Sequence, residues 1–263
     1  MVYHILVLHG FAQNIDIIRH QTGALRNKLK NSVLFHYLNA PHELCTIQST
    51  TPRQHTLIQQ GIETNDRYSW WYSGHDGSLN HYNGFNESFQ LIRSAWNSCA
   101  VEYQCDGFDG IMGFSQGACL VTILAAIKHS YQNNTLYQSI NNTQYSSTLV
   151  DVDFLHSLKF CIIVSGFITH DVDLQKIYGS HNNPCHLPSL HVIGESDAQI
   201  EPSRSYACTE CFVSPTIISH SGGHYIPLKK EYLDQYVQFI TQHTQSSSQT
   251  TFNNNHKVIT NKL

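Results

Sequence analysis

The stretch from Asp109 to Ile127 leaves the chain few folds to choose from. A short apolar run, Asp109–Gly113, leads into Gly113-Phe114-Ser115-Gln116-Gly117, and the residues from Gln116 to Ile127 are then apolar nearly all round. A helix without a polar face is buried on every side, and a strand that feeds it through a tight turn belongs to a sheet covered on both faces. Other apolar runs agree: Tyr3–Leu8, Val33–Leu38, Lys159–Ser165, Leu190–Gly194 and Thr216–Ser219 read as further strands. Between them, Ile18, Thr22, Leu25 and Leu29 share one helix face, and Phe85, Phe89, Ile92, Trp96 and Cys99 share another. Leu228, Tyr232, Leu233, Tyr236, Val237 and Ile240 form the face of a last helix. Strands alternating with helices imply an α/β class, with a mostly parallel central sheet and helices on both faces.

One domain over residues 1–243 fits the chain of 263 residues. The period-poor stretch Tyr131–Thr148, rich in Asn, Gln, Ser and Tyr, reads as a polar insertion or mobile loop, and 244–263 as a disordered tail. A net charge of −4 excludes a strongly basic nucleic-acid binder. No run approaches the roughly 18 apolar residues of a membrane-spanning helix. Met1 followed at once by a strand-like run leaves no secretory leader, so a cytoplasmic chain is expected, with the nucleus also open to it. The N-x-S/T sites at Asn86, Asn133 and Asn141 are then idle, and the eight cysteines are expected to be reduced. Cys208 and Cys211 form one CxxC without a second pair at zinc-ribbon spacing, which favours ordinary thiols. The 18 histidines invite a metal reading, but no HExxH is present, and Gly222 and Gly223 between His220 and His224 argue against a helical ligand pair. No metal or cofactor is expected.

The chemistry-bearing signal is the G-x-S-x-G in its strand–turn–helix setting, the arrangement of a nucleophile elbow. Small residues at Gly113 and Gly117 allow the tight turn, and Ser115 is lifted to the start of the helix. A serine hydroxyl needs a base to take its proton. Of the downstream histidines, His224 sits in a suitable loop, Ser221-Gly222-Gly223-His224, between a strand and the last helix. The carboxylate that holds the imidazole is expected to be Asp197, just past the strand Leu190–Gly194, with Asp171, Asp173 and Glu195 as competitors. Two backbone N–H groups must hold the oxyanion. Gln116 supplies one and Phe11, after His9-Gly10, the other, with His9 orienting that loop. Trp70 and Trp71, in a polar setting, are candidates for an acyl pocket or for core packing.

The residues Leu8-His9-Gly10-Phe11-Ala12-Gln13-Asn14 and Thr22-Gly23-Ala24-Leu25-Arg26 resemble the N-terminus of the FSH-type serine hydrolases, which include the OVCA-type esterases. The resemblance continues through Ala40-Pro41-His42, Trp70-Trp71, Phe108–Ala118, Ser165-Gly166-Phe167, Ile193–Asp197 and Gly222–Pro227, spanning residues 3 to about 240. It implies a cytosolic α/β-hydrolase that cleaves carboxylic esters, with alkyl or lipid-like acyl groups favoured, through Ser115, Asp197 and His224. Asn39 departs from the pattern, standing where the family usually has an acid before Ala-Pro-His. Two alternatives stand beside a carboxylesterase: an acyl-protein or acyl-CoA thioesterase, and a non-catalytic binding module on a hydrolase fold. The expected partner is a small-molecule ester; oligomeric state is left open.

Overall fold

The structure is a computed structural model and describes residues 2–44, 66–72, 81–178 and 184–245. Six strands form the central sheet: β1 (Tyr3–Leu8), β2 (Val33–Leu38), β5 (Gly110–Phe114), β6 (Phe160–Val164), β7 (Ser189–Gly194) and β8 (Thr216–His220). Two short strands, β3 (His42–Glu43) and β4 (Tyr68–Ser69), pair apart from it as an antiparallel ribbon that the sequence did not signal. The sheet runs in the order β2-β1-β5-β6-β7-β8 and every neighbouring pair is parallel. Parallel neighbours need long crossovers, and helices supply them.

Alternate residues of a strand point to opposite faces, and β1 divides accordingly. Ile5 and Val7 pack with α1 (Ile15–Gln21), α2 (Gly23–Leu29) and the last helix, α8 (Lys230–Gln245). Leu6 and Leu8 enter the other core with α3 (Phe85–Tyr103) and α4 (Gln116–Gln132). The helices of this second face are completed by α5 (Leu136–Ile140), α6 (Val172–Gln175) and α7 (Pro202–Thr209). Helix α4 is buried from Gln116 to Ser130, as its uninterrupted apolar sequence requires. The α/β class and the two covered faces are as the sequence implied.

Three expectations change. The helix face Ile18–Leu29 belongs to two helices: Thr22 leaves helical geometry at φ −104° and ψ 7° and ends α1, its hydroxyl donating to the Ile18 carbonyl at 2.8 Å. The stretch Tyr131–Thr148 is not a mobile loop over the surface: α5 and successive turns carry Leu136, Ile140 and Tyr145 into the core. Its apolar residues anchor separate turns, so they follow no single period. Helix α8 also runs past the expected boundary, and Thr244 is still helical, its hydroxyl donating to the Ile240 carbonyl at 2.9 Å. The rest of the expected tail, residues 246–263, lies outside the described residues.

Candidate active site

Parallel strands leave their loops at the two ends of the sheet, and ligands in such sheets meet the carboxyl ends. Ser115 lies there, between β5 and α4, with φ 55° and ψ −116°. Few L-residues adopt a positive φ, and the turn holds it by crowding. A Cβ on Gly113 would lie 2.3 Å from the Gly117 carbonyl oxygen, and one on Gly117 would lie 2.5 Å from the carbonyl oxygens of Leu8 and His9. Both positions therefore require glycine. The Ser115 N–H donates to the Val164 carbonyl at the end of β6 (3.0 Å), which fixes the turn to the sheet.

His224 and Asp197 come from the two strands beyond. In the register of β7 and β8, Gly194 faces His220, so the loops that follow leave the sheet at one height. They are stitched together: the Ser196 N–H donates to the Gly222 carbonyl (3.0 Å), and the Ser196 hydroxyl to the Ser221 carbonyl (3.0 Å). A Cβ on Gly194 would come within 2.5 Å of the Gly223 carbonyl oxygen, so the loops meet backbone to backbone. This places His224 Nδ1 2.6 Å from Asp197 Oδ2 and His224 Nε2 2.9 Å from the Ser115 hydroxyl. Side-chain exposures of 5% for His224 and 2% for Asp197 keep bulk water away from that contact.

Asp197 remains ionised despite its burial. Burial alone would raise its carboxyl, but the Ile200 N–H, His224 and the Gln199 N–H outweigh that and hold it below the ordinary carboxylate value. The two N–H bonds, both 2.9 Å, go to Oδ1 and leave Oδ2 facing the imidazole. The competing acids are engaged elsewhere. Asp171 is wholly buried, caps α6 through the Asp173 and Leu174 N–H groups and accepts from the Tyr82 N–H and the Tyr145 hydroxyl. Asp173 pairs with Lys176 at 2.7 Å, and Glu195 accepts from the Tyr206 and Ser219 hydroxyls. His220 is a buried β8 residue set between the rings of Tyr225 and Tyr232.

The loop after β1 lies directly against the turn. A Cβ on Gly10 would sit 3.3 Å from that of Ser115, and the Gly10 N–H donates to Gln13 Oε1 at 2.9 Å. His9 spans this loop: its Nδ1 donates to the Gly10 carbonyl (2.7 Å), and its Nε2 accepts from the Ala40 N–H (3.0 Å). Burial pushes its imidazole down to about 4, the Gly10 bond only partly opposing, so the ring is neutral near pH 7. The Phe11 side chain is exposed, while Gln116 opens α4, where a helix N–H has no intrahelical acceptor. Asn39 accepts from the Ile15 N–H at 2.7 Å, a bond that an acid at this position would also make.

A network that the sequence did not reveal joins Trp70 and Trp71 to the turn. Gln116 accepts from the Trp70 N–H and donates to the Trp71 carbonyl, both at 3.0 Å, while the Trp70 indole donates to the His9 carbonyl at 2.8 Å. Trp71 stacks on Tyr82 with ring centroids 4.3 Å apart. Both tryptophans are buried. No local spacing links Gln116 to residues 46 and 45 positions earlier, so only folding exposes the clamp. Cys208 and Cys211 are free thiols, raised by burial, Cys211 to about 11. Among the described residues, no helix is long and apolar enough to cross a membrane.

The profile of the family described as "Serine hydrolase (FSH1)" matches residues 1–236. The chain is 29% identical to "Esterase OVCA2" of Danio rerio over 248 residues, 90% of this chain and 95% of that protein. It is 30% identical to "Esterase OVCA2" of Xenopus tropicalis over 247 residues, 91% of this chain and 94% of that one. Among solved structures, the acyl-protein thioesterase 2 of Zea mays superposes with a TM-score of 0.52 at 15% identity, covering 92% of this chain and 94% of its own. Esterase PE8 gives 0.54 at 15%, with 92% of both chains covered. At such identity these structures speak for the α/β-hydrolase fold alone.

Proposed function

The chain belongs to the FSH1 serine hydrolase family, and from that premise we propose that it hydrolyses carboxylic esters with alkyl or lipid-like acyl groups. Ser115 is the nucleophile. Its Oγ attacks the ester carbonyl carbon while His224 Nε2 takes the hydroxyl proton, and the Phe11 and Gln116 N–H groups hold the resulting oxyanion. Asp197 keeps the Nδ1–H tautomer in place and stabilises the imidazolium. The tetrahedral intermediate expels the alcohol, which leaves with the proton from Nε2. Water then gives a proton to His224 and attacks the acyl-Ser115 carbonyl, and collapse returns the proton to Oγ and frees the acid. Trp70 and Trp71 pack in the core, as the second of their two readings has it, and brace Gln116, while His9, Gly10, Gly113 and Gly117 support the turn. The substrate is a small molecule, and the reaction as written needs no cofactor.

The observation that carries this reading is the 2.9 Å contact between Ser115 Oγ and His224 Nε2, with Asp197 directly behind. The family and the relatives called esterases favour an oxygen ester over a thioester, and matched ester and thioester substrates separate the two. In the Ser115→Ala variant, ester turnover is expected to fall by roughly 10⁴-fold or more. A fluorophosphonate probe is expected to label the wild-type protein and not the variant. Turnover near the wild-type level in Ser115→Ala overturns the assignment, and failure of the wild-type protein to label favours a non-catalytic module.

A further inference from the structure

Away from Ser115, where β1 and β2 pass beneath the end of α3, three potential ligands converge. One ring nitrogen each of His4 and His36 and the Cys99 thiol all lie within 4.8 Å of one another. We propose that His4, His36 and Cys99, with Cys105 as fourth donor, bind a single borderline-soft divalent cation, for which zinc is the best match. In chain order these residues are far apart, and the sequence carries no ligand motif at them.

The positions are set by rigid elements. His4 and His36 stand on neighbouring parallel strands, with side chains on the same face, and Cys99 is buried in the last turns of α3. Gln104 closes that helix in a left-handed conformation (φ 50°), which turns the chain back so that the Cys105 N–H bonds to the Ala100 carbonyl at 3.1 Å. The Cys105 thiol then lies 3.6 Å from the Cys99 carbonyl and 3.5 Å from that of Gly107. Zinc bonds of about 2.0–2.3 Å in tetrahedral geometry put donor atoms roughly 3.3–3.8 Å apart. His4, His36 and Cys99 already lie within 4.8 Å of one another, and the proposal requires the Cys105 thiol to turn from the Cys99 and Gly107 carbonyls toward them. Aromatic walls limit the rings: Tyr103 packs at 4.6 Å from His4 and 5.4 Å from His36, and Phe108 at 5.1 Å from His36.

The chemistry of the donors agrees. Two imidazoles and thiolate sulfur form a set that suits zinc over calcium or magnesium. His4 Nδ1 and His36 Nε2 are 2.9 Å apart, so one lone pair already faces inward and the other inward position carries a proton. Burial lowers both imidazoles, His36 to about 4, so each ring is a neutral donor near pH 7. Burial also pushes the Cys99 thiol up to about 12, and it stays protonated until an ion draws the proton off. Binding would therefore release the proton of each ligating thiol and move the shared imidazole proton to an outward ring nitrogen, leaving both rings neutral. The carboxylates of Asp109 and Glu102 act on this cluster and favour a cation there.

The test uses the whole chain, stripped with a chelator and titrated with Co(II) as a spectroscopic stand-in for zinc. We expect one Co(II) per chain, tetrahedral d–d bands and a thiolate-to-metal charge-transfer band, all displaced by Zn(II). Cys99→Ser and His36→Asn are each expected to weaken Zn(II) binding at least about tenfold, whereas Cys211→Ser leaves it unchanged. The wild-type spectrum stands without any variant: absence of a charge-transfer band overturns the proposal. So does Zn(II) binding that survives Cys99→Ser at full strength in a protein with native circular dichroism. Either result would make the cluster a hydrogen-bonded histidine pair beside a buried thiol.

Discussion

Two groups of histidines occupy opposite ends of the same sheet. At the carboxyl end, His224 meets a carboxylate at 2.6 Å; near the amino end, His4 meets another imidazole at 2.9 Å. Asp109, beside His4, and Ser115 flank β5, which at about 3.3 Å per strand residue separates the two groups by roughly 20 Å. The difference lies in the partner. A carboxylate fixes the tautomer of its imidazole and stabilises the charged form, which makes the other nitrogen a proton acceptor during a reaction. An imidazole partner offers no such charge, and burial keeps both rings as neutral lone-pair donors, the form that binds metal. One residue type is thus proposed for proton transfer at one end and for ligation at the other.

The sharpest way to break this comparison is to remove His224. His224→Ala is expected to lower ester turnover by about 10⁴–10⁶-fold, while leaving the Co(II) spectrum of the distant cluster intact. Asp197→Asn comes next. It preserves shape but removes the charge behind the imidazole, and a loss of about 10³–10⁴-fold in kcat is expected. A loss below tenfold would show that the carboxylate is not what distinguishes the two ends. Smaller still is Gln116→Leu, which strands the Trp70 N–H and the Trp71 carbonyl; it should cost about 1–3 kcal/mol of stability by denaturant titration.

Acid links both ends. His9 and His36 are held near 4 and His191 near 3, all depressed mainly by burial from an ordinary value of 6.5. Because the unfolded chain takes up these protons first, the stability is fully present above about pH 6.5 and is lost as pH falls toward 4. Melting temperature in the presence of chelator should decline across that window, and a flat profile would contradict the burial of neutral rings. The smallest effect is on turnover: metal removal should change ester hydrolysis by less than about twofold while lowering the melting temperature, since a ligand of the native state stabilises by linkage.

Much of the fold is legible in local sequence. Strands β1 and β2 begin and end where their apolar runs do, and the other four sheet strands differ from theirs by a residue at one or both ends. Helix α3 follows its spacing of four, three, four and three. The strand–turn–helix around Ser115 was equally clear, because its glycines are imposed by backbone contacts that any residue larger than glycine would violate. Residues 131–148 were opaque for the opposite reason. Leu136, Ile140 and Tyr145 are buried one per turn with no repeat to mark them, and Tyr145 finds its partner, Asp171, only across the core. The break at Thr22 was hidden as well, since Ile18 and Leu25 serve one core from two helices.

By itself the sequence determined the alternation of strands and helices, the turn that presents Ser115, and His224 and Asp197 as the residues to look for. These depend on periodicity and on steric rules within a few neighbouring residues. Tertiary structure alone decided which carboxylate faces His224, how Gln116 clamps Trp70 and Trp71, and that His4, His36 and Cys99 converge. Each of those pairings joins residues that are distant in the chain, where local rules are silent; the parallel register of the sheet and the packing of α3 and α4 upon it bring them together.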